Sequence, residues 1–156
     1  VKKEYRALIS GHLTPKNGAI EGAIARSSAD RKKMAIKSGA GSREASTEYR
    51  VENYYSLIRK GARYPFTLIT ALPKTGRTHQ IRVHCAGIGF QIAGDQVYGN
   101  KKINELLKKT GLTRQFLHAY SLAFTHPRTG KKMAFRAPLP EDLQNCIKML
   151  SEIAPQ

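Results

Sequence analysis

The sequence predicts an α+β fold, a mixed and mostly antiparallel sheet with flanking helices. Three observations lead there. Several stretches alternate apolar and polar residues with period two, and they follow one another through short turns. Helical spacing is confined to the middle and the end of the chain. No internal repeat or long linker divides the 156 residues, a length that suits one domain.

Residues 3–10 alternate, with Tyr5, Ala7 and Ile9 on one face and Glu4, Arg6 and Leu8 on the other, which predicts a strand. Residues 11–43 are rich in Gly, Ser, Lys and Arg, and "RKKMAIKSG" within them reads as a short basic strand or hairpin arm. Residues 44–57 alternate again, Ala45, Thr47, Tyr49 and Val51 against Ser46, Glu48, Arg50 and Glu52, giving a strand with one wet face. The basic turn "RKGAR" leads into "YPFTLITAL", apolar on both faces and therefore central in the sheet. "THQIRVHCAGI" switches to helical spacing on Ile81, Cys85 and Ile88, with Gly87 and Gly89 ending it. After the loop "GDQVYGNKK", a short helix is expected over 103–110 on Ile103, Leu106 and Leu107, stopped by Gly111. "FLHAYSLAFTH", "PRTG" and "KKMAFRA" read as a hairpin. Pro140, Glu141 and Asp142 open a last helix with Leu143, Ile147 and Leu150 on its apolar stripe.

Charge narrows the function. The chain has 27 Lys and Arg against 11 Asp and Glu, a net charge of +16, which calls for a polyanionic partner. RNA or DNA fits better than a membrane, because no apolar run approaches the ~18 residues of a spanning helix. Cys85 and Cys146 are too few for a disulfide framework, so a reducing, cytoplasmic compartment is expected. His79, His84 and Cys85 fit no common zinc spacing, and no metal is expected.

The densest charge lies in "PKTGRTHQIRVH", residues 73–84, where Lys74, Arg77, His79, Arg82 and His84 occur without an acid. A strand, a glycine turn and a helix start, with Thr78 as N-cap, would present free N–H groups to a phosphate. The plain alternative is a solvated basic turn. Arg82 resists that alternative, because it sits one turn inside an apolar helix and a buried guanidinium needs a carboxylate. The chain's three Asp residues each have a local explanation: Asp30 in a basic loop, Asp95 in a Gly-Asp turn, Asp142 at a helix start.

"TGRTHQIRVH", "IAGDQVYG", "FLHAYSLAFTHPRTG" and "FRAPLPEDL", together with the opening "KKEYRAL" and the intervening "GAIEGAIAR", "KKM" and "ASTEYRV", resemble the RluA/RluD-type RNA pseudouridine synthases. The resemblance runs in order from the first residues to about Leu143. It implies the pseudouridine synthase fold and isomerisation of uridine to pseudouridine in structured ribosomal or transfer RNA, with no cofactor and no metal. It implies that Tyr5, on the Lys-x-Tyr strand, packs on the base and helps remove the C5 proton. It also implies that Arg82 pairs with the nucleophilic Asp. Arg26, Lys33, Lys74, Arg77, Thr78, His79 and Gln80 are the expected RNA contacts.

The family's nucleophile lies in a His-Arg-Leu-Asp segment upstream of the Lys-x-Tyr strand, and no stretch of these residues matches it. Residues 1–156 are therefore expected to be the C-terminal portion of a catalytic domain, monomeric and inactive alone. Smaller departures are Phe90 and Gln91 for a usual His-Pro, and Thr70 where an acid is common. The alternative function is a non-catalytic basic RNA-binding module. A small ribosomal or architectural protein would explain the charge but not the ordered motifs.

Overall fold

A computed structural model describes residues 1–153. The strands are β1 (Lys2–Ser10), β2 (Asn17–Glu21), β3 (Ile24–Arg26), β4 (Met34–Ile36), β5 (Ser46–Arg59), β6 (Ala62–Pro73), β7 (Leu117–Thr125), β8 (Lys132–Arg136) and β9 (Ser151–Ile153). The helices are α1 (Gln80–Gly87), α2 (Lys101–Leu107) and α3 (Glu141–Lys148). The main sheet runs β2-β5-β6-β1-β7-β8, with β9 also on β5, while β3 and β4 form a separate two-stranded ribbon. Every strand pairing among the described residues is antiparallel.

The apolar pattern explains this order. "FTLITA" is buried at every position because β6 lies between β5 and β1 with both faces covered. One face, with Leu8, Tyr55, Leu57, Phe66 and Leu68, packs against Leu107, Leu112, Phe116, Leu143 and Cys146. The opposite face, with Ala7, Ile9, Tyr49, Ile69 and Ala71, packs against Ile81 and Cys85 of α1 and against Ile92. Burial of a side chain such as Leu8 or Phe66 contributes roughly 1.5–3 kcal/mol, so these two layers carry most of the fold. Helices α2 and α3 thus secure one face, and α1 is the helix on the face that carries the site.

Local chemistry sets the connections. The β5–β6 hairpin closes through Lys60 and Gly61, both at positive φ (49° and 77°), the pairing a tight two-residue turn requires. Asn100 caps α2 by accepting from the Ile103 N–H.

Several elements differ from the sequence reading. The Gly-rich region 11–43 contains the edge strand β2 as well as the basic hairpin, and β9 follows a helix that stops at Lys148. A bulge between Val51 and Asn53 shifts the register of β5, so the wet-face alternation ends and Tyr54 to Leu57 are all buried. Ile88, expected on the buried stripe of α1, is 39% exposed because the helix has already ended.

Candidate active site

Where β6 ends and α1 begins, a cavity of about 480 Å³ opens beside β1. Tyr5 reaches it from β1; Pro73, Thr75, Gly76 and Arg77 come from the connecting turn; His79, Gln80, Ile81 and Arg82 come from the head of α1; Gln115 and Leu117 close it. Tyr5 pairs with Ala71 on β6 and Ala119 on β7, beside a bulge between Glu4 and Tyr5. Small residues on both flanking strands leave room for the ring. Lys3, Arg77 and Arg82 line the cavity and, among the described residues, no carboxylate does, so the charged groups on its wall are all cations.

Arg82 answers the question raised by its position. Its Nε donates to Asp95 Oδ2 at 2.7 Å and its Nη2 to Asp95 Oδ1 at 2.9 Å, a bidentate pair with side chains 11% and 0% exposed. The sequence reading gave this role to an upstream nucleophile and treated Asp95 as a plain turn residue. The physical reason is the turn itself. Asp95 Oδ1 also accepts from the Val97 and Tyr98 N–H groups, and the Asp95 carbonyl accepts from Gly99 N–H and Asn104 Nδ2. Gly94, at φ 79°, lets the turn pass against the Arg114 carbonyl, where a Cβ would collide. The turn folds the Asp95 carboxylate back beneath α1.

Burial pushes the Asp95 carboxyl up, but the Arg82 bonds and the two backbone N–H groups outweigh it and hold it below its ordinary value. The same bond raises Arg82 against the opposing effect of burial. The third guanidinium nitrogen, Nη1, makes no hydrogen bond among the described residues, and Arg82 lines the cavity.

Two sequence expectations need correction. Thr78 is not the N-cap of α1; His79 occupies that position in the left-handed region (φ 56°), without a side-chain cap bond. Gln80, expected to touch RNA, is 4% exposed and fully engaged inside the protein. Its Oε1 accepts from Thr75 Oγ1 and Arg77 N–H, and its Nε2 donates to the Ser46 carbonyl and Thr47 Oγ1. Gln80 therefore braces the basic turn against β5.

The other expected residues divide by place. Arg77 and His79 face the cavity with Tyr5 and Arg82. Lys74 pairs with Glu48 at 3.0 Å on the surface, and Thr78 is exposed. Arg26 is exposed on the β3–β4 ribbon, and its charge is near enough to depress His79. Lys33 lies at the ribbon's tip, next to Met34. Burial first, then Arg82 and Arg26, lowers His79, with Asp95 opposing, so the imidazole is neutral at neutral pH. Burial pushes the Cys85 thiol up to about 12, which makes it an inert core group.

A family model described as RNA pseudouridylate synthase matches residues 1–87, more than half of the chain. The chain belongs to the RNA pseudouridylate synthase family. Among curated relatives, ribosomal large subunit pseudouridine synthase D of Zymomonas mobilis is 41% identical over 96% of this chain and 45% of its own length. Ribosomal large subunit pseudouridine synthase C of Yersinia pestis is 34% identical over 99% and 46%. The chain thus spans less than half the length of these relatives. Among solved structures, human RNA pseudouridylate synthase domain containing 1 superposes with a TM-score of 0.76 at 29% identity, covering 97% of this chain and 60% of that one. Human RNA pseudouridylate synthase domain containing 4, at 24% identity and TM-score 0.68, supports the same fold. The fold is that of the pseudouridine synthase domain.

Proposed function

We propose that the protein is an RNA pseudouridine synthase that isomerises uridine in ribosomal RNA of the large subunit, acting in the cytoplasm as a monomer. The observation that carries this reading is the Arg82 cavity: among the described residues its wall holds cations and no carboxylate, a tyrosine stands at its side, and one nitrogen of its arginine is unbonded. The family relationship supplies the reaction class, and the relatives named for the large ribosomal subunit supply the substrate class.

The target uridine leaves its stack, because its reacting atoms are unreachable inside a helix. Lys3 and Arg77 hold the backbone phosphates beside it. An aspartate serves as nucleophile and the N1–C1′ bond breaks. The uracil turns, C5 bonds to C1′, and the bond to the aspartate breaks so that it leaves as its carboxylate. The C5 proton is then removed and a proton is restored at N1, so the product is an isomer of the substrate. Tyr5 packs on the base and assists the C5 proton transfer. Arg82 Nη1 orients the nucleophilic carboxylate, while Asp95 fixes the guanidinium from the other side.

None of the chain's three Asp residues suits the nucleophile. Asp95 is buried and saturated, Asp142 pairs with Arg114 at 2.8 Å, and Asp30 is exposed beyond the ribbon. The isolated 156-residue chain is therefore expected to be inactive. The test uses unmodified large-subunit RNA carrying tritium at uridine C5. Full-length protein should release tritium, Arg82→Ala should abolish release with RNA affinity held within a few fold, and the isolated chain should release none. Turnover by Arg82→Ala, or by the isolated chain, would refute the assignment. A full-length protein that binds RNA but releases no tritium would be a binding module only.

A further inference from the structure

The turn that supplies Asp95 also supplies Tyr98, whose phenol side chain has no part in the Arg82–Asp95 hydrogen bonds or the reaction above. Its ring lies 5.0 Å from the Arg82 guanidinium and stands edge-on to His79, centroids 5.6 Å apart. Its hydroxyl oxygen is 2.8 Å from the Met34 amide nitrogen and 2.9 Å from His79 Nδ1. Met34 opens β4, the return strand of the ribbon that stands apart from the main sheet. One phenol thus touches the basic ribbon, the left-handed cap of α1 and the site arginine.

We propose that Tyr98 is a positioning residue, a latch that holds His79 as its Nε2–H tautomer at the cavity wall and ties that state to the seating of the β3–β4 ribbon. The donor count fixes the tautomer. The Met34 N–H can only donate, so the phenol oxygen accepts from it. The phenol's own proton then goes to His79 Nδ1, which must be unprotonated. A neutral imidazole of that kind carries its proton on Nε2. The reverse arrangement would leave the phenol proton with no partner among the described residues, at a part-buried position. His79 Nε2 makes no bond among the described residues, and His79 lines the cavity, so its N–H is a fixed donor for a phosphate or base oxygen.

Burial and most of the groups facing His79 favour a neutral ring. Arg82 and Arg26 oppose a further positive charge, Asp95 favours it, and Tyr98 donates to the neutral form. The ribbon is suited to act as the other end of the latch. Ile24 anchors it in a small core with Ala45 and Val83, with Met34 and Tyr98 packed at the edge. Its outer part bears Arg26, Arg31, Lys32 and Lys33. RNA held on those cations keeps β4 seated, and the seated Met34 amide keeps the phenol turned toward His79. A lifted ribbon frees the hydroxyl, and the donor at the cavity wall loses its fixed tautomer. The RNA part rests on the synthase reading; the tautomer does not.

The experiment uses full-length protein labelled with ¹⁵N-histidine, alone and as Tyr98→Phe, which keeps the ring under Arg82 and removes the hydroxyl. In the unmodified protein at neutral pH, multiple-bond ¹H–¹⁵N spectra should find His79 Nδ1 bare and Nε2 protonated. Tyr98→Phe should give mixed tautomers, raise the His79 pKa toward its ordinary 6.5, and speed hydrogen exchange at the Met34 amide. With unmodified large-subunit RNA, kcat/KM should fall about tenfold at neutral pH, the effect of one lost hydrogen bond. It should fall further as pH drops below 6.5, with RNA affinity changed less than threefold. An Nδ1–H or cationic His79 in the unmodified protein overturns the proposal, and that spectrum needs no variant to fold. An unchanged tautomer and pH profile in Tyr98→Phe overturns it too. The expected spectra without tritium release would leave the latch standing and remove the synthase reading instead.

Discussion

Asp95→Asn is the perturbation that tests the frame of the site most directly. The substitution keeps size and one acceptor oxygen, so the Val97 and Tyr98 amides can still be bonded. It removes the only charge that meets Arg82 Nε and Nη2, and the Arg82 side chain is 11% exposed. Breaking a buried pair by deleting one partner costs about 3–5 kcal/mol. Contact of Arg82 with the open cavity relieves part of this, which places the expected loss near the lower end, at about 3 kcal/mol. With a urea slope of about 2 kcal/mol/M for a domain of this size, the midpoint should fall by roughly 1.5 M. Glu48→Gln is the matched control, because the Lys74–Glu48 pair is 52% and 49% exposed and should change stability by less than about 0.5 kcal/mol. The pH dependence follows from the sign of the shift. Asp95 lies below its ordinary 3.8 when folded, so its contribution is full above that value and fades as pH falls through the folded value. Asp95→Asn should therefore have a shallower acid limb than the unmodified protein. A loss below about 0.5 kcal/mol, equal to the control, would mean that Arg82 is held by solvent and that the ion pair does not organise the site.

Three other substitutions or treatments probe the neighbouring supports. Gln80→Leu strands the Arg77 N–H and the Thr75 hydroxyl proton and takes one of two partners from the Ser46 carbonyl and the Thr47 hydroxyl, and should cost about 2–3 kcal/mol in urea unfolding while raising the KM for RNA through a loosened turn. Gly94→Ala meets both a positive φ and the Arg114 carbonyl, so it should destabilise by about 2 kcal/mol or more, whereas Gly130→Ala, with open space around it, should cost about 1 kcal/mol. Cys85 is 1% exposed with its thiol pushed up to about 12, so in native protein it should resist alkylation at neutral pH on the timescale of hours; rapid labelling would mean that α1 lifts from the sheet.

The parts of this fold that were legible in the sequence are those that bury a long regular pattern. "FTLITA" is apolar on both faces, broken only by Thr67 and Thr70, and a strand covered on both faces satisfies that. The stripe of Ile81 and Cys85 on α1 was equally readable, as was the need of Arg82 for a carboxylate. Three features were not legible. Strand β2 is five residues beginning Asn-Gly, held by its pairing with β5 and not by its own pattern. The bulge at Val51–Asn53 inverts the faces of β5 without any local composition change. The partner of Arg82 lies 13 residues away, in a turn whose local sequence explains itself. A search for the acid able to meet a buried arginine, starting from the chain's three Asp, would have reached Asp95, because Asp30 and Asp142 both adjoin strongly basic or exposed segments.

Gln80 and Asp95 change what the basic run at residues 73–84 means. Taken as a surface motif, it is a set of contacts to RNA, each side chain acting for itself. In the fold, Gln80 and Asp95 point inward and hold the turn and the arginine before any substrate arrives, while Arg77, His79 and Arg82 are left at the cavity. Under the proposed synthase reading that division matters, because electrostatic stabilisation is effective only when the charges need not reorganise during the reaction. Asp95 cancels one unit of charge on a guanidinium that still presents Nη1, so the head of α1 offers an oriented donor without the full cost of an unpaired buried cation. A nucleophilic carboxylate entering that place would meet an arginine already fixed on two of its three nitrogens, and it would gain orientation without having to supply the counter-charge. The same reasoning explains why Lys cannot replace Arg82: one ammonium cannot bond Asp95 in bidentate fashion and face the cavity as well.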